Sequence, residues 1–354
     1  MTPVELSRTV LCAVRRAVDV GELDVSVPAS VAVGLPGPGG CGDYASNIAL
    51  RLAGQAGRPA RDVAEVLRPH IERDPGVAEV TVTGPGFLNI TLAGGASAGL
   101  VEQVLEQGTR YGYDDTLAGQ LVELRVPYDT RAEIVADALV RIVATQGGRA
   151  EVRHAEPVNL RPVPAPEDPA LLGHDAARWA LLHPAAHDRP RISADHLLQR
   201  ESNPLFRVRY AHARTRALRR NAAALGHSHR HDSHSRAGVL VAVGVPSDAS
   251  GTGVSPAPVP AGFGTTPAET DLLAALADYP HALRLAARDR APDRVARHLV
   301  VTADAVLGFQ YTVLPLGDEK PSAAHRARLA LAEAAGAVLA GGLSLLGISA
   351  PEYL

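Results

Sequence analysis

The sequence predicts an α/β N-terminal domain, a small βαβ unit and an all-α C-terminal helical bundle. Hydrophobic periods of about 3.6 and 2 residues alternate along residues 3–107, which is typical of mixed helices and strands. Residues 121–154 follow a strand, helix, strand pattern. From Ala170 onward the apolar spacing is helical. These observations predict three regions, at 1–118, 119–170 and 171–354, with a disordered insert rich in His, Gly and Pro at 227–268.

The N-terminal region is predicted to begin with a helix over Pro3–Val20, whose apolar residues share one face. Further along we expect a strand at 31–33, helices at 45–53 and 59–72, a hairpin of strands at 77–83 and 87–92, and a helix at 96–107. Gly84-Pro85-Gly86 supplies the turn of the hairpin. Alternating helices and strands of this length predict one compact α/β unit.

The remainder divides into the βαβ unit and the bundle. We expect parallel strands at 121–126 and 149–154 joined by a helix at 132–145, then a linker at 157–169. Asn203 and Pro204 are typical N-cap and first-turn residues, so a helix should run from there to Leu225. The later helices are expected at 270–279, 282–289, 292–310 and 323–346.

Composition narrows the possible functions. The net charge is −3, which argues against indiscriminate nucleic-acid binding but permits a local basic stripe. Two cysteines are too few for a disulfide framework or a Cys-rich zinc site. No run of 18 apolar residues and no signal-peptide layout is visible, so we expect a cytoplasmic protein without a membrane span. Lys320 is the only lysine, which excludes mechanisms that need several.

Two segments imitate ligand sites. Four histidines are spaced closely in the insert, and flexible imidazole tracts bind metals weakly; they are His227, His229, His231 and His234. No carboxylate or thiol cluster accompanies them to fix a geometry, so a solvated linker is favoured over a metal site. The glycine-rich segment 34–40 lacks the Gly-Lys-Ser/Thr ending of a phosphate-binding P-loop, so a plain loop is favoured there.

The helix that starts at Asn203 carries the strongest local signal for function. At about 100° per residue, its apolar face is separated from an arginine stripe formed by Arg209, Arg216 and Arg220. Phe206 and Tyr210 lie beside that stripe. Rings beside arginines suit base stacking and phosphate contact. Packing of a second helix layer on the two rings explains the pattern equally well, and the sequence leaves both interpretations open.

This same helix resembles a segment of bacterial arginyl-tRNA synthetases. Residues 203–214, Asn-Pro-Leu-Phe-Arg-Val-Arg-Tyr-Ala-His-Ala-Arg, are similar to the family's Asn-Pro…Tyr-Val-Gln-Tyr-Ala-His-Ala-Arg. Residues 172–182 resemble the helix that follows the catalytic domain, with its Gly-x-Asp-Ala-x-Arg pattern, and residues 342–352 resemble the family's C-terminal end. Residues 42–47 and 84–89 resemble its N-terminal additional domain. The order of these segments matches the family.

The catalytic signatures of that family are missing. Residues 123–129 pass directly into the helix at 130–139, with no His-Ile-Gly-His-like motif between them. Lys320 lies far beyond the place of a Lys-Met-Ser-Lys-Ser loop, so no mobile lysine charge can neutralise a departing pyrophosphate there. Fewer than twenty residues separate His154 from Leu172, where the family has most of its nucleotide-binding domain.

The resemblance therefore implies a tRNA-binding protein derived from arginyl-tRNA synthetase, without aminoacylation activity and without a cofactor. It implies that Phe87 and Asn89 face the tRNA elbow, and that the anticodon side includes Phe206, Arg209, Tyr210, Arg216, Arg220 and Leu354. Phe206, Arg209 and Leu354 stand where the family often has Tyr, Gln and Met. Two alternatives stay open: arginine–tRNA ligase activity using ATP and arginine, retained or completed by a partner, and a protein-interaction module that regulates a full-length synthetase.

Overall fold

A computed structural model describes residues 3–34, 36–37, 41–92, 96–225, 266–315, 317, 319–320 and 322–354. The four closely spaced histidines, interpreted as part of a solvated linker, and most of the predicted insert lie outside these described residues. The helices are α1 (Pro3–Asp19), α2 (Ile48–Ala56), α3 (Ala60–Ile71), α4 (Ala96–Gln107), α5 (Thr130–Ala144), α6 (Gly173–Leu182), α7 (Pro204–Ala224), α8 (Pro267–Arg288), α9 (Asp293–Phe309) and α10 (Ala323–Leu346). The strands are β1 (Val33–Gly34), β2 (Tyr44–Ser46), β3 (Val77–Thr83), β4 (Phe87–Leu92), β5 (Leu121–Arg125) and β6 (Arg149–Arg153).

The N-terminal domain is a four-stranded antiparallel sheet in the order β1-β2-β4-β3, together with α1, α2 and α3. The hairpin β3–β4 has the predicted bounds. The helix predicted at 45–53 is partly wrong, because residues 44–46 form β2 and the helix begins at Ile48. The local sequence pattern did not predict β2, because this strand is only three residues long and forms by pairing with β4, with Tyr44 opposite Ile90.

The hydrophobic core divides after Leu92 rather than after residue 118. One buried cluster contains residues 6–90, whereas a second runs from Leu100 to Ile348. Helix α4 therefore packs with the bundle, against α10, and not with the N-terminal domain. A helix with one apolar face does not specify its partner by sequence. The turn that directly follows α4 approaches α10 closely, since a Cβ on Gly341 would lie 2.7 Å from the carbonyl oxygen of Thr109.

The βαβ unit has the predicted parallel pairing of β5 with β6, in register from Leu121 opposite Arg149 to Arg125 opposite Arg153. Helix α5 shares its buried face with the bundle core. The side chain of Asn159 completes the edge of β5, since it accepts from the backbone N–H of Arg125 at 2.8 Å and donates to the carbonyl of Glu123 at 3.0 Å. The two strands are thus held between α5 and the segment that follows β6.

The C-terminal bundle corrects one predicted break. Two helices were expected on either side of Pro280, but α8 is continuous through it. Proline removes one backbone hydrogen bond, and burial of Leu276 and Leu283 on the same face offsets that loss. Helix α10 is long and apolar enough in composition to cross a membrane, with a mean hydropathy of 1.8 in its most apolar window. Of that window 72% is buried inside the bundle, so α10 serves as the core helix.

Candidate nucleic-acid interface

A pocket of about 340 Å³ opens where the starts of α6 and α7 meet the C-terminus. Residues 172–176 form one wall, residues 196–199 a second, the first two turns of α7 a third, and Leu354 closes the rim. Leu197, Leu198 and Leu354 are all exposed. The rim is therefore apolar, although it faces solvent.

Asn203 fixes the geometry of this pocket. Its side-chain oxygen accepts from the backbone N–H of Leu205 at 3.1 Å, which makes it the N-cap predicted from the sequence. Its amide group donates to the carbonyls of His196 and Leu198, at 2.9 and 2.8 Å. Because Asn203 is buried and all three bonds are made, it ties the rim at 196–198 to the start of α7.

The aromatic pair predicted on α7 begins in the pocket, where Phe206 is a lining residue, and continues with Tyr210 one turn further along the helix. The rings of Phe206 and Tyr210 are stacked, with centroids 5.5 Å apart and an interplanar angle of 17°. Phe206 is half-buried and lines the pocket, while Tyr210 is 38% exposed. The interpretation in which a second helix layer covers both rings is therefore wrong for Tyr210. The outer ring of the stack is open to a planar ligand.

Arg209 enters the pocket from the same helix. Its Nη2 lies 3.8 Å from Oδ2 of Asp175, and its buried Nε has no hydrogen-bond partner among the described residues. Burial raises the pKa of Asp175, but hydrogen bonds from Ser349 and His174, together with the Arg209 charge, outweigh burial and lower it. Asp175 is thus a carboxylate that orients Arg209, and Arg209 keeps donors for a ligand.

The arginine stripe of α7 is partly covered by the C-terminal segment 349–354. Nη2 of Arg216 lies 2.6 Å from Oε1 of Glu352, and the guanidinium carbon of Arg220 lies 4.3 Å from the ring centroid of Tyr353. The Arg216 hydrogen bond and charge lower the pKa of Glu352. The sequence placed these arginines on one face, but it gave no sign that the chain end returns to them. Arg209 is thus the arginine of the stripe that points into the pocket.

The two elbow candidates differ in accessibility. Phe87 is 40% exposed at the start of β4. Asn89 is buried, and its amide donates to Oγ1 of Thr83 at 2.6 Å while its oxygen accepts from the backbone N–H of Cys41 at 3.4 Å. The side chain of Asn89 is therefore committed to the hairpin and the loop beside it, and Phe87 is the residue of the two that presents a surface.

Sequence reasoning missed three contributors to the pocket. Leu197 and Leu198 lie in a segment without periodicity, so nothing marked them. The link between Asp175 and Ser349, made through the hydroxyl and the backbone N–H of Ser349, joins residues 174 positions apart. Such a contact has no local signature, although both residues fall in segments that carried the family resemblance.

Comparisons with known proteins bear directly on this surface. Residues 5–92 match the arginyl tRNA synthetase N terminal domain, and residues 208–354 match the DALR anticodon binding domain. The arginine–tRNA ligase of Frankia alni is 41% identical over 157 residues, which cover 42% of this chain and 28% of that relative. The ligase of Renibacterium salmoninarum is 39% identical over 160 residues, which cover 42% and 29%.

The chain is a relative of arginyl-tRNA synthetases. It carries their N-terminal domain and their DALR anticodon-binding domain and lacks most of the catalytic domain. The matched part of the chain spans less than a third of the length of the curated relatives.

Solved arginyl-tRNA synthetases share the fold of this relative. The Thermus thermophilus enzyme matches with a TM-score of 0.59 at 15% identity, covering 100% of both chains. The Plasmodium falciparum enzyme matches with a TM-score of 0.64 at 9% identity, covering 99% of both. In this synthetase relative, Tyr210 and Leu354 belong to the matched DALR domain, whereas Asp175 and Asn203 lie before it. The pocket therefore combines the anticodon-binding domain with the helix that precedes it.

Proposed function

We propose that this synthetase relative binds tRNA through the pocket at α6, α7 and the C-terminus and does not aminoacylate it. The observation that carries the proposal is the exposed Tyr210 ring, stacked on Phe206, which lines a pocket together with Arg209. A planar ring that is rigidly backed and open on its outer side is a platform for a nucleobase, and base–aromatic stacking contributes about 1–3 kcal/mol per base.

The other pocket residues fit the same ligand. A cavity of about 340 Å³ lies at the lower end of the range for small-ligand sites, which suits one unstacked base rather than a folded ligand. The guanidinium of Arg209 can donate to the phosphate or to an acceptor edge of that base. The exposed leucines at 197, 198 and 354 would cover the apolar faces of the base.

The turn before α5 argues against adenylate formation. The first turn of a helix binds phosphate through its free N–H groups and its dipole. Here the carboxylate of Asp129 occupies that position, accepting from the N–H of Ala132 at 2.9 Å. A carboxylate at that N-terminus repels a triphosphate. In the described part of the chain, the parallel sheet that α5 connects has two strands. Lys320, the only lysine, lies between α9 and α10 and not in this βαβ unit, so the unit has no lysine to bind a triphosphate.

Binding and catalysis can be tested separately. Fluorescence anisotropy with an arginine tRNA transcript should show binding that Tyr210→Ala weakens by roughly 1–3 kcal/mol. Tyr113→Ala is the matched control, because Tyr113 is 39% exposed and lies against Arg110 rather than against a residue that lines the pocket. Arginine-dependent ATP–pyrophosphate exchange, measured with tRNA present, should stay at background.

Three outcomes would contradict the proposal. If Tyr210→Ala and Tyr113→Ala lower the affinity equally, the pocket is not the binding site. If exchange rises above background and depends on intact chain, the alternative of a retained ligase activity replaces the claim of inactivity. Absence of any tRNA binding would leave the chain as a protein-interaction module.

A further inference from the structure

A second cavity lies between the N-terminal domain and the bundle and shares no lining residue with the pocket at α7. Its volume of about 680 Å³ is within the range of small-molecule sites. Arg8 and Leu11 of α1 and Arg51 of α2 line the side of the N-terminal domain. The side of the bundle is lined by α8, with Asp278, His281, Arg284, Leu285 and Arg288.

The helical spacing directs the charges of both sides into this cleft. His281, Arg284 and Arg288 are three and four residues apart and thus share one face of α8. Arg8 and Leu11 are three apart on α1. The cleft therefore gathers four guanidinium groups from three helices, whereas Asp278 is the one carboxylate among its lining residues.

Intramolecular ion pairs do not neutralise all four groups. Nε of Arg284 lies 3.4 Å from Asp114, and Nε of Arg288 lies 2.7 Å from Asp289. For Arg8 and Arg51, no carboxylate of the described residues lies within 4.0 Å. Asp278 is itself shared with His298, at 4.0 Å from Nδ1. The wall of the N-terminal domain thus presents two guanidinium groups without a counter-charge in the described part of the chain.

The guanidinium groups on opposite sides of the cleft repel one another. Burial lowers the pKa of Arg284, Asp114 opposes that effect, and the positive charge of Arg8 lowers it further. Arg8 belongs to the N-terminal domain and Arg284 to the bundle, so like charges face each other where the two domains meet. An anion between them would replace repulsion by attraction on both sides.

We propose that this cleft binds phosphate groups, held by Arg8 and Arg51 on the N-terminal domain and by Arg284 and Arg288 on the bundle. The guanidinium fork matches phosphate oxygens in a bidentate geometry, which a point charge does not. Leu11 and Leu285 add apolar surface beside the cations. The phosphate can come from a free polyphosphate compound or from an RNA backbone, and either source would tie the two domains together.

Inorganic pyrophosphate is the probe for the first source, measured by isothermal titration calorimetry at low ionic strength. The test variant is Arg8→Gln with Arg51→Gln. The matched control is Arg16→Gln with Arg73→Gln, which removes two exposed arginines of the same domain that do not line the cleft. We expect wild type and control to bind equally, and the test variant to bind at least about tenfold more weakly for each charge-assisted hydrogen bond lost.

The second source, an RNA backbone, is tested by measuring tRNA binding of the wild-type protein, the test variant and the control variant. If pyrophosphate does not bind, a backbone site predicts that the test variant alone reduces the log–log salt slope of tRNA binding, by somewhat under two. Failure of both measurements, or equal effects in the control, overturns the proposal. The pyrophosphate measurement uses no RNA, and Tyr210→Ala should not alter it, so its outcome is independent of the proposed function; only the tRNA measurement rests on that function.

Discussion

Gly347 lies against the guanidinium of Arg178, so closely that no side chain fits between them. Gly347 ends α10 with φ of +70°, and a Cβ there would lie 2.6 Å from Nε of Arg178. That Nε donates to the carbonyl of Leu346 at 2.7 Å, and Nη2 binds Asp137 at 2.5 Å. Arg141 of α5 donates similarly to the carbonyl of Leu345. The unpaired carbonyls at the end of α10 are thus capped by arginines of α5 and α6.

This contact gives the βαβ unit a structural role. Burial alone would raise the pKa of Asp137, but its hydrogen bonds with Arg141 and Arg178 and their charges lower it. The end of the bundle's core helix is therefore held by α5 of the βαβ unit and by α6.

Gly347→Ala should destabilise the protein more than Gly57→Ala. Both glycines end helices in the left-handed region, but a Cβ on Gly57 would meet nothing within 4 Å. Gly57→Ala therefore measures the backbone cost alone, roughly 1–2 kcal/mol. Urea unfolding measures the free energy of unfolding of both variants. The additional loss in Gly347→Ala is the cost of displacing Arg178. Equal losses would show that Arg178 moves aside freely.

Glu352→Gln should strengthen tRNA binding. The substitution removes the carboxylate that lies 2.6 Å from Arg216, so Arg216 becomes available to a phosphate. One added phosphate contact steepens the log–log salt slope by about 0.7–0.9. Anisotropy titrations over a salt series measure both quantities, and Glu201→Gln, an exposed change outside the pocket and the arginine stripe, is the control. An unchanged slope would mean that Arg216 does not face RNA.

Replacing Arg209, Arg216 and Arg220 together with Gln should weaken tRNA binding and flatten its salt dependence. Arg209 is expected to account for more of the loss than the other two, because those two already contact Glu352 and Tyr353. The single variant Arg209→Gln, titrated beside the triple variant, separates the contributions. A single variant with wild-type affinity would remove Arg209 from the proposed site.

The free energy of unfolding should fall as the solution is acidified below about pH 6.5, the ordinary pKa of histidine. Burial lowers the pKa of His212, the hydrogen bond with the carbonyl of Pro351 opposes this, and Arg216 lowers it further. The unfolded chain therefore takes up a proton at a higher pH than the folded chain does. The contribution of neutral His212 is complete above that pH and is lost as the pH falls through it.

His212→Gln should reduce this pH dependence, since the Gln amide keeps a donor for Pro351 without titrating. His187→Gln is the control, because His187 is exposed. Chemical denaturation at a series of pH values measures the slope for each protein. If the slope is the same for both variants, His212 does not contribute to it.

Deletion of the insert, residues 227–265 replaced by a flexible Gly-Ser bridge, should leave the melting temperature within a few degrees. The segment is rich in His, Ser, Gly and Pro, and such composition buries little apolar surface. Helix α8 keeps its own start, since Thr266 and Glu269 form a capping box and Glu269 binds Arg328 at 2.6 Å. A large fall in thermal denaturation would instead assign a structural role to the apolar run at 239–245.

The sequence by itself determined the elements whose signal is local. The hairpin β3–β4, helix α10 and the cap of α7 at Asn203 follow from alternation, helical spacing and N-cap chemistry, which need only nearby residues. It also placed Phe206 and Tyr210 together on one helix. The resemblance to the family was also visible in the sequence, because each resembling segment is only about a dozen residues long and the segments occur in the family's order.

The tertiary structure alone decided which surfaces meet. Strand β2 forms because β4 offers it an edge, and α8 continues through Pro280 because its buried face holds it. Helix α4 joins the bundle because its apolar residues are buried in the bundle core. It also decided that Tyr210 is exposed, that Asn89 is not, and that Glu352 lies on Arg216. These outcomes depend on contacts between residues far apart in the chain, whose free energies no local pattern encodes.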